Sequence, residues 1–278
     1  MSLGAQVAST RDSDWLALCR RAGEAAAVAL GRYPTRAERA EPTGRGEGGD
    51  MALAIDRAAE DAVFAELEAL GQPLTVISEE RGEIALAGGG PVHVVVDPVD
   101  GSLNAKRGLP FYCVSIAVAA GPSMGDVEVA YVLDLGTGEE WWAGRGRGAH
   151  RNGDRLAQLE PGRLEILAVE SAHPGAIAAA ADALAATGAD RLRALGSIAL
   201  SLCSVAAGRC DAMVSLRPAR SVDAAAAQLV LREAGGAVAF PDAGPDALAT
   251  PLSLDMRSRV VGATSPAALD DLALQVLT

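Results

Sequence analysis

The chain has 278 residues, half of them hydrophobic, with 3% aromatics and a formal net charge of −12. That length suits one large domain or two intimate halves, with a core of Ala, Val and Leu instead of rings. The acidity argues against a broad basic surface for nucleic acid, yet leaves room for a small phosphate ester whose charge a metal offsets.

The start, MSLGAQVASTRDSD, lacks the charged-then-apolar pattern of a signal peptide. No run of about 18 apolar residues marks a membrane span. Residues 12 to 33 carry helical spacing (Trp15, Leu18, Cys19, Ala22, Ala26, Leu30), with Asp12 or Ser13 as cap. Residues 34 to 50, rich in Gly and Pro, read as a flexible loop, either a surface connector or a lid. A second helix is predicted from about 54 to 70, with Asp56 near its start, where a carboxylate suits the helix dipole.

A short strand, L-T-V-I-S (74 to 78), ends in Glu79 and Glu80. The valine run Val92, Val94, Val95 and Val96 reads as a second buried strand, expected to stop at Pro98, which has no N–H for a ladder. Asp97 and Asp100 follow it. If the chain turns there, both carboxylates and the Val99 carbonyl converge as hard oxygen ligands suited to Mg²⁺. Gly101 lets the backbone approach a ligand closely, and Ser102 can open a short helix whose N–H groups suit phosphate. Taken alone, D-P-x-D-G reads first as a polar turn. Two strands that both end in acids shift the balance toward a divalent-metal site.

Strands are expected at 111 to 120, 127 to 133 and 139 to 143. From 164 a second α/β half begins: a strand to 170, a helix over 175 to 186, R-L-R-A-L (191 to 195), a helix opened by Gly196-Ser197, and a strand at 212 to 216. Asp223 starts an Ala-rich helix closed by Gly235-Gly236. Strands near 237 to 240 and 259 to 262 and a helix from about 266 complete the chain. The four cysteines (Cys19, Cys113, Cys203, Cys210) show no C-x-x-C spacing and read as buried thiols of a reducing cytoplasm. Zinc-hydrolase H-E-x-x-H and P-loop patterns are absent from the sequence.

Three separated blocks carry a family resemblance: V-I-S-E-E (76 to 80), V-D-P-V-D-G-S-L-N (96 to 104) and S-V-D-A-A-A-A-Q-L-V-L-R-E-A-G-G (221 to 236), with D-M-A-L-A-I-D (50 to 56) a weaker fourth. In their order and spacing the chain resembles the inositol monophosphatase-like superfamily of Mg²⁺-dependent, lithium-sensitive phosphatases. The resemblance implies an α+β fold, a layered αβαβα sandwich, in one domain with halves of roughly 1–160 and 161–278. It implies two or three Mg²⁺ ions held by Glu79, Asp97, the Val99 carbonyl, Asp100 and Asp223. Asp56 and Ser102, with Glu79, would orient and activate the attacking water. Asp100, Gly101, Ser102, Gly196, Ser197 and Asp223 would contact the substrate. A small phosphate ester is the implied partner, with no nucleic acid or membrane, and the implied assembly is a homodimer.

Departures from the family pattern bear on substrate. Ser102 replaces the family threonine, Val222 the tryptophan before the last aspartate, and Leu216 the acid of inositol-selective members. R-P-A-R-S-V-D (217 to 223) is similar to archaeal-type members acting on both inositol phosphate and fructose 1,6-bisphosphate. Arg217 and Arg220 are candidates to pair with a second phosphate or a sugar oxygen, or else face solvent. Histidinol phosphate and 3′-phosphoadenosine 5′-phosphate are alternative substrates, and a non-catalytic phosphate-binding regulator is a remoter reading. The family's lid lysine is unmatched; Arg45 is the nearest basic residue.

Overall fold

Helical periodicity in the first third produces α1 (Asp12–Leu30) in the computed structural model, which describes residues 12–47, 51–160 and 162–276. The expected caps of α1, Asp12 and Ser13, have side chains outside the described residues. The segment read as a flexible loop is partly regular. It holds a one-turn helix, α2 (Arg36–Arg39), and β1 (Pro42–Arg45), which pairs antiparallel with β2 (Met51–Leu53). The missed signal is T-R-A-E: Thr35 and Glu38 close a capping box, with Thr35 N donating to Glu38 Oε2 at 2.9 Å. Asp50 and the side chain of Arg45 lie outside the described residues. The helix expected from 54 is α3 (Ala54–Ala69).

Eight strands form the first sheet: β3 (Leu74–Ser78), β4 (Gly82–Leu86), β5 (His93–Asp100), β6 (Cys113–Ala119), β7 (Val127–Asp134), β8 (Glu140–Gly144), β9 (Gly148–Arg151) and β10 (Asp154–Arg155). Their spatial order is β10-β9-β8-β7-β6-β5-β3-β4. Within this sheet, among the described residues, only β3 and β5 run parallel; the remaining pairs are antiparallel. The edge strand β4 was not expected, since G-E-I-A-L carries a mixed pattern. Contrary to expectation, β5 runs through Pro98 to Asp100. The register to β6 shifts between Asp97 and Asp100, so the missing N–H falls at an irregularity instead of in the ladder. A short helix, α4 (Ser102–Arg107), follows at once.

The second half supplies β11 (Ile166–Glu170), α5 (Pro174–Ala179), α6 (Ala181–Ala186), β12 (Arg191–Arg193), α7 (Ile198–Ala206), β13 (Ala212–Ser215), α8 (Ser221–Glu233), β14 (Ala237–Ala239), β15 (Val261–Ala263) and α9 (Pro266–Val276). These strands make a five-stranded sheet in the order β12-β11-β13-β15-β14. The single helix expected over 175–186 breaks at Ala180, where ψ opens to 6°.

Burial defines the stacking. Trp15, Leu18 and Cys19 of α1 and Ile55, Ala59, Val63 and Phe64 of α3 cover one face of the first sheet. Leu202 and Cys203 of α7 and Leu229 and Val230 of α8 form a middle layer with Ala117, Val132 and Trp141 of the first sheet and Met213 and Val238 of the second. The Ala224–Ala227 run, wholly buried, lets α8 lie close between the sheets, which is how a core poor in rings is filled. Leu184 of α6 and Leu269 and Leu272 of α9 cover the outer face of the second sheet. The order is helix, sheet, helix, sheet, helix, the layered α+β sandwich expected. All four cysteines are buried and free. No helix among the described residues is long and apolar enough to cross a membrane.

Because Leu229 is fully buried between the sheets, Leu229→Ala should lower stability by about 2–5 kcal/mol in urea unfolding. A loss below about 0.5 kcal/mol would mean that this layer is not close-packed.

Candidate active site

Since β3 and β5 are parallel and in register from Thr75↔His93 to Ser78↔Val96, acids placed after either strand must lie side by side. Glu79 leaves the end of β3; Asp97 and Asp100 stand at the end of β5. Asp56 comes from the first turn of α3 and Asp223 from the first turn of α8. All five line one cleft of about 810 Å³, together with Val99, Gly101, Ser102, Gly196 and Arg220.

Specific donors hold each acid in place. Asp97 Oδ1 accepts from Val99 N at 3.1 Å, which folds the backbone around Pro98. Asp56 Oδ2 accepts from Leu53 N at 2.9 Å, while its buried Oδ1 has no hydrogen-bond partner. Asp223 Oδ2 accepts from Arg220 N at 2.8 Å, so this acid caps α8 from its third position instead of starting the helix. Asp100 Oδ2 accepts from Ser197 Oγ and from Ala199 N, both at 2.7 Å. Gly101 turns with φ +94°, and a Cβ there would stand 2.7 Å from Phe111 O. Ser102 Oγ donates to Val99 O at 2.9 Å, leaving that carbonyl a second lone pair.

The expected site residues divide. Ser197 is buried and does not line the cleft: it caps α7, accepting from Leu200 N at 3.1 Å, and its hydroxyl turns to Asp100. Arg217 is exposed and also outside the lining. Leu216 packs against the outer core. Arg220, by contrast, lies inside, ion-paired to Glu79, with its Nε 3.6 Å from Asp223 Oδ1.

Sequence reasoning missed the supports. Glu60, fully buried, accepts from Ser78 Oγ at 2.5 Å and Arg81 N at 3.0 Å, bracing the turn that carries Glu79. Its signal was available: Asp56 and Glu60 are one helical turn apart on an otherwise apolar face. Glu170, at the end of β11, accepts from Gly196 N at 2.8 Å and Ser201 Oγ at 2.6 Å. Asn104 Nδ2 donates to Leu195 O at 2.7 Å, tying α4 to the second half. Lys106, at the cleft wall, was also overlooked.

Burial pushes Glu79 up to about 7 against the pull of Arg220, and Asp100 up to about 8 with Asp223 adding repulsion. Asp97 is raised well above the carboxylate range, first by burial and then by Glu79. Asp56 is raised by burial to about 6. These acids cannot all ionise without a positive partner. Hard oxygens, a free carbonyl lone pair and an unpartnered Asp56 oxygen fit a divalent cation. Among the described residues, no three His, Cys, Asp or Glu side chains are drawn together tightly enough to hold one ion as they stand. Arg220 lies between two of them.

A layered sandwich whose parallel strand ends deliver acids beside a glycine turn and a helix start is the arrangement of a phosphate-ester hydrolase. The chain belongs to the inositol monophosphatase family, whose profile matches residues 13–277. It is 37% identical over 203 residues to a fructose-1,6-bisphosphatase/inositol-1-monophosphatase of Methanothermobacter thermautotrophicus, covering 69% of this chain and 72% of that protein. It is 35% identical over 233 residues to the Nus factor SuhB of Escherichia coli, covering 81% and 84%. Its fold matches a crystal structure of an inositol monophosphatase–fructose 1,6-bisphosphatase with TM-score 0.80 and 25% identity, covering 93% of this chain and 98% of that one.

The raised carboxyls fix the sign of a pH effect. Between the ordinary carboxylate range and about pH 8, the folded chain binds more protons than the unfolded one, so stability falls as pH rises. In EDTA, the Tm should therefore drop from about pH 5 to about pH 8, and saturating Mg²⁺ should flatten that slope. A Tm that climbs over this range in EDTA would refute the account.

Proposed function

We propose that the protein is a Mg²⁺-dependent phosphomonoesterase acting on a small sugar or polyol phosphate, of the inositol 1-phosphate or fructose 1,6-bisphosphate type. One observation carries the reading: Asp56, Glu79, Asp97, Asp100 and Asp223, from four separate elements, share a cleft with Gly101 and Ser102. Glu79, Asp97, the Val99 carbonyl, Asp100 and Asp223 would hold two or three Mg²⁺ ions. Bound Mg²⁺ supplies charge neutralisation for the phosphate, acidification of a water and stabilisation of the departing oxygen.

The chain's own groups do the rest. Backbone N–H groups of Gly101 and Ser102, at the start of α4, hold the phosphate. Asp56 Oδ1 and the Ser102 hydroxyl orient the attacking water, with Asp56 taking its proton; a carboxyl raised to about 6 is a stronger base than an ordinary aspartate. Gly196 backs the substrate's organic part. Arg220, inside the cleft, is the group suited to a second anionic substituent, and Lys106 adds positive charge. Arg217, exposed and outside the lining, drops out of the substrate site. The reading extends to one domain of two halves, a cytoplasmic setting and a homodimer; exposed Leu109 and Phe111 favour self-association.

Asp100→Asn should lower kcat by at least about 100-fold while leaving the circular dichroism unchanged. EDTA should abolish activity, Mg²⁺ restore it and lithium inhibit it. Values of kcat/KM for inositol 1-phosphate, fructose 1,6-bisphosphate, histidinol phosphate and 3′-phosphoadenosine 5′-phosphate decide among substrates. No phosphate release from any of them, or full activity in EDTA, would defeat the proposal.

A further inference from the structure

Arg220 stands where the two halves meet. Its side chain is 14% exposed, and those of its partners Glu79 and Asp223 are 12% and 13% exposed. The guanidinium pairs with Glu79 Oε1, and its Nε lies 3.6 Å from Asp223 Oδ1. One partner follows a strand of the first sheet; the other belongs to the first turn of α8. A guanidinium cannot shed its proton in a protein, so this is a permanent positive charge between two acids that would otherwise repel. Glu79 and Asp223 also belong to the set read above as holding divalent cations. The arginine and a metal ion thus draw on the same oxygens.

We propose that Arg220 is a built-in counter-ion to the metal site: it bridges Glu79 and Asp223 until a divalent cation takes those oxygens, and then it gives up Glu79. This rests on the metal-site reading of the cleft. Metal binding then carries the cost of breaking a largely buried ion pair, which sets affinity below what the acids alone would give. The released guanidinium keeps its fork of donors at the cleft wall, available to an anionic group of the substrate. Metal occupancy and anion recognition become linked through one side chain, and such linkage is reciprocal.

Arg220 is a positioning residue in this scheme, and its role can be isolated. The bond that caps α8 uses the Arg220 backbone N–H, not its side chain, so substitution leaves the helix start intact. Arg220→Gln removes the charge; Arg220→Lys keeps it. Mg²⁺ and Mn²⁺ binding is measured by isothermal titration calorimetry without substrate, and Tm is measured in EDTA and in saturating Mg²⁺. Arg220→Gln is expected to bind Mg²⁺ about 10-fold tighter than wild type, to have a lower Tm in EDTA, and to gain more Tm from Mg²⁺. Arg220→Lys should stay near wild type in affinity. In arginine-labelled wild-type protein, the Arg220 Nε–H resonance, assigned by its loss in Arg220→Lys, should move on Mg²⁺ titration with the calorimetric midpoint. Equal or weaker Mg²⁺ binding by Arg220→Gln, or an Arg220 resonance unmoved at saturation, overturns the inference while leaving the phosphatase reading intact. Absence of any divalent-cation binding by wild type overturns both.

Discussion

Repulsion among buried carboxylates governs this molecule. Among the described residues, the parallel pairing of β3 and β5 is the single exception in an otherwise antiparallel eight-stranded sheet, and it forces two acid-bearing strand ends together. Burial then denies those acids the water that would ionise them freely. Protons, a guanidinium or metal ions must compensate. Each further feature of the cleft is a way of managing that excess of negative charge: the inward Arg220, the hydrogen bonds to Asp100, and the backbone N–H that holds Asp97.

The supporting hydrogen bonds show why the acids do not simply separate. Glu60 braces the turn after β3 from the helix side, and Glu170 fixes the loop before α7 from the second sheet. Both are buried acids spent on structure. The donors to Glu170 are backbone N–H groups and a serine hydroxyl, which satisfy a carboxylate without adding a formal charge, whereas Glu60 also pairs with the Arg81 guanidinium at 3.3 Å. The acidic residues of the cleft are therefore of two kinds: Glu170, with donors on both oxygens, and those such as Asp56 and Glu80 that keep a buried oxygen without a hydrogen bond.

Much of this was legible in the chain. Valine runs, helical spacing and the E-A-G-G ending located most elements, and the spaced acidic blocks named the residues that gather in the cleft. What escaped has identifiable physical causes. Pro98 reads as a strand stop, yet a register shift absorbs its missing donor, a tertiary accommodation that local pattern cannot announce. Ser197 carries a motif position but is turned inward by Asp100, a partner 97 residues away. Arg217 and Arg220 are equivalent by composition and only three positions apart; the start of α8 between them and Asp223 decides which one enters the site. Glu60 was marked only by its helical spacing from Asp56, and Glu170 was invisible because a lone acid at a strand end has no local signature of its partner.

Asp100 leaves the first sheet but is gripped by Ser197 Oγ and Ala199 N of the second half, while Asn104 reaches across to Leu195 O. The chemistry is therefore assembled across a seam, not within either layer. Because α7 and α8 pack on both sheets, that seam is part of the core, and any change that loosens it would release Asp100. Turnover would fade with it, making loss of activity a gauge of loosening between the halves.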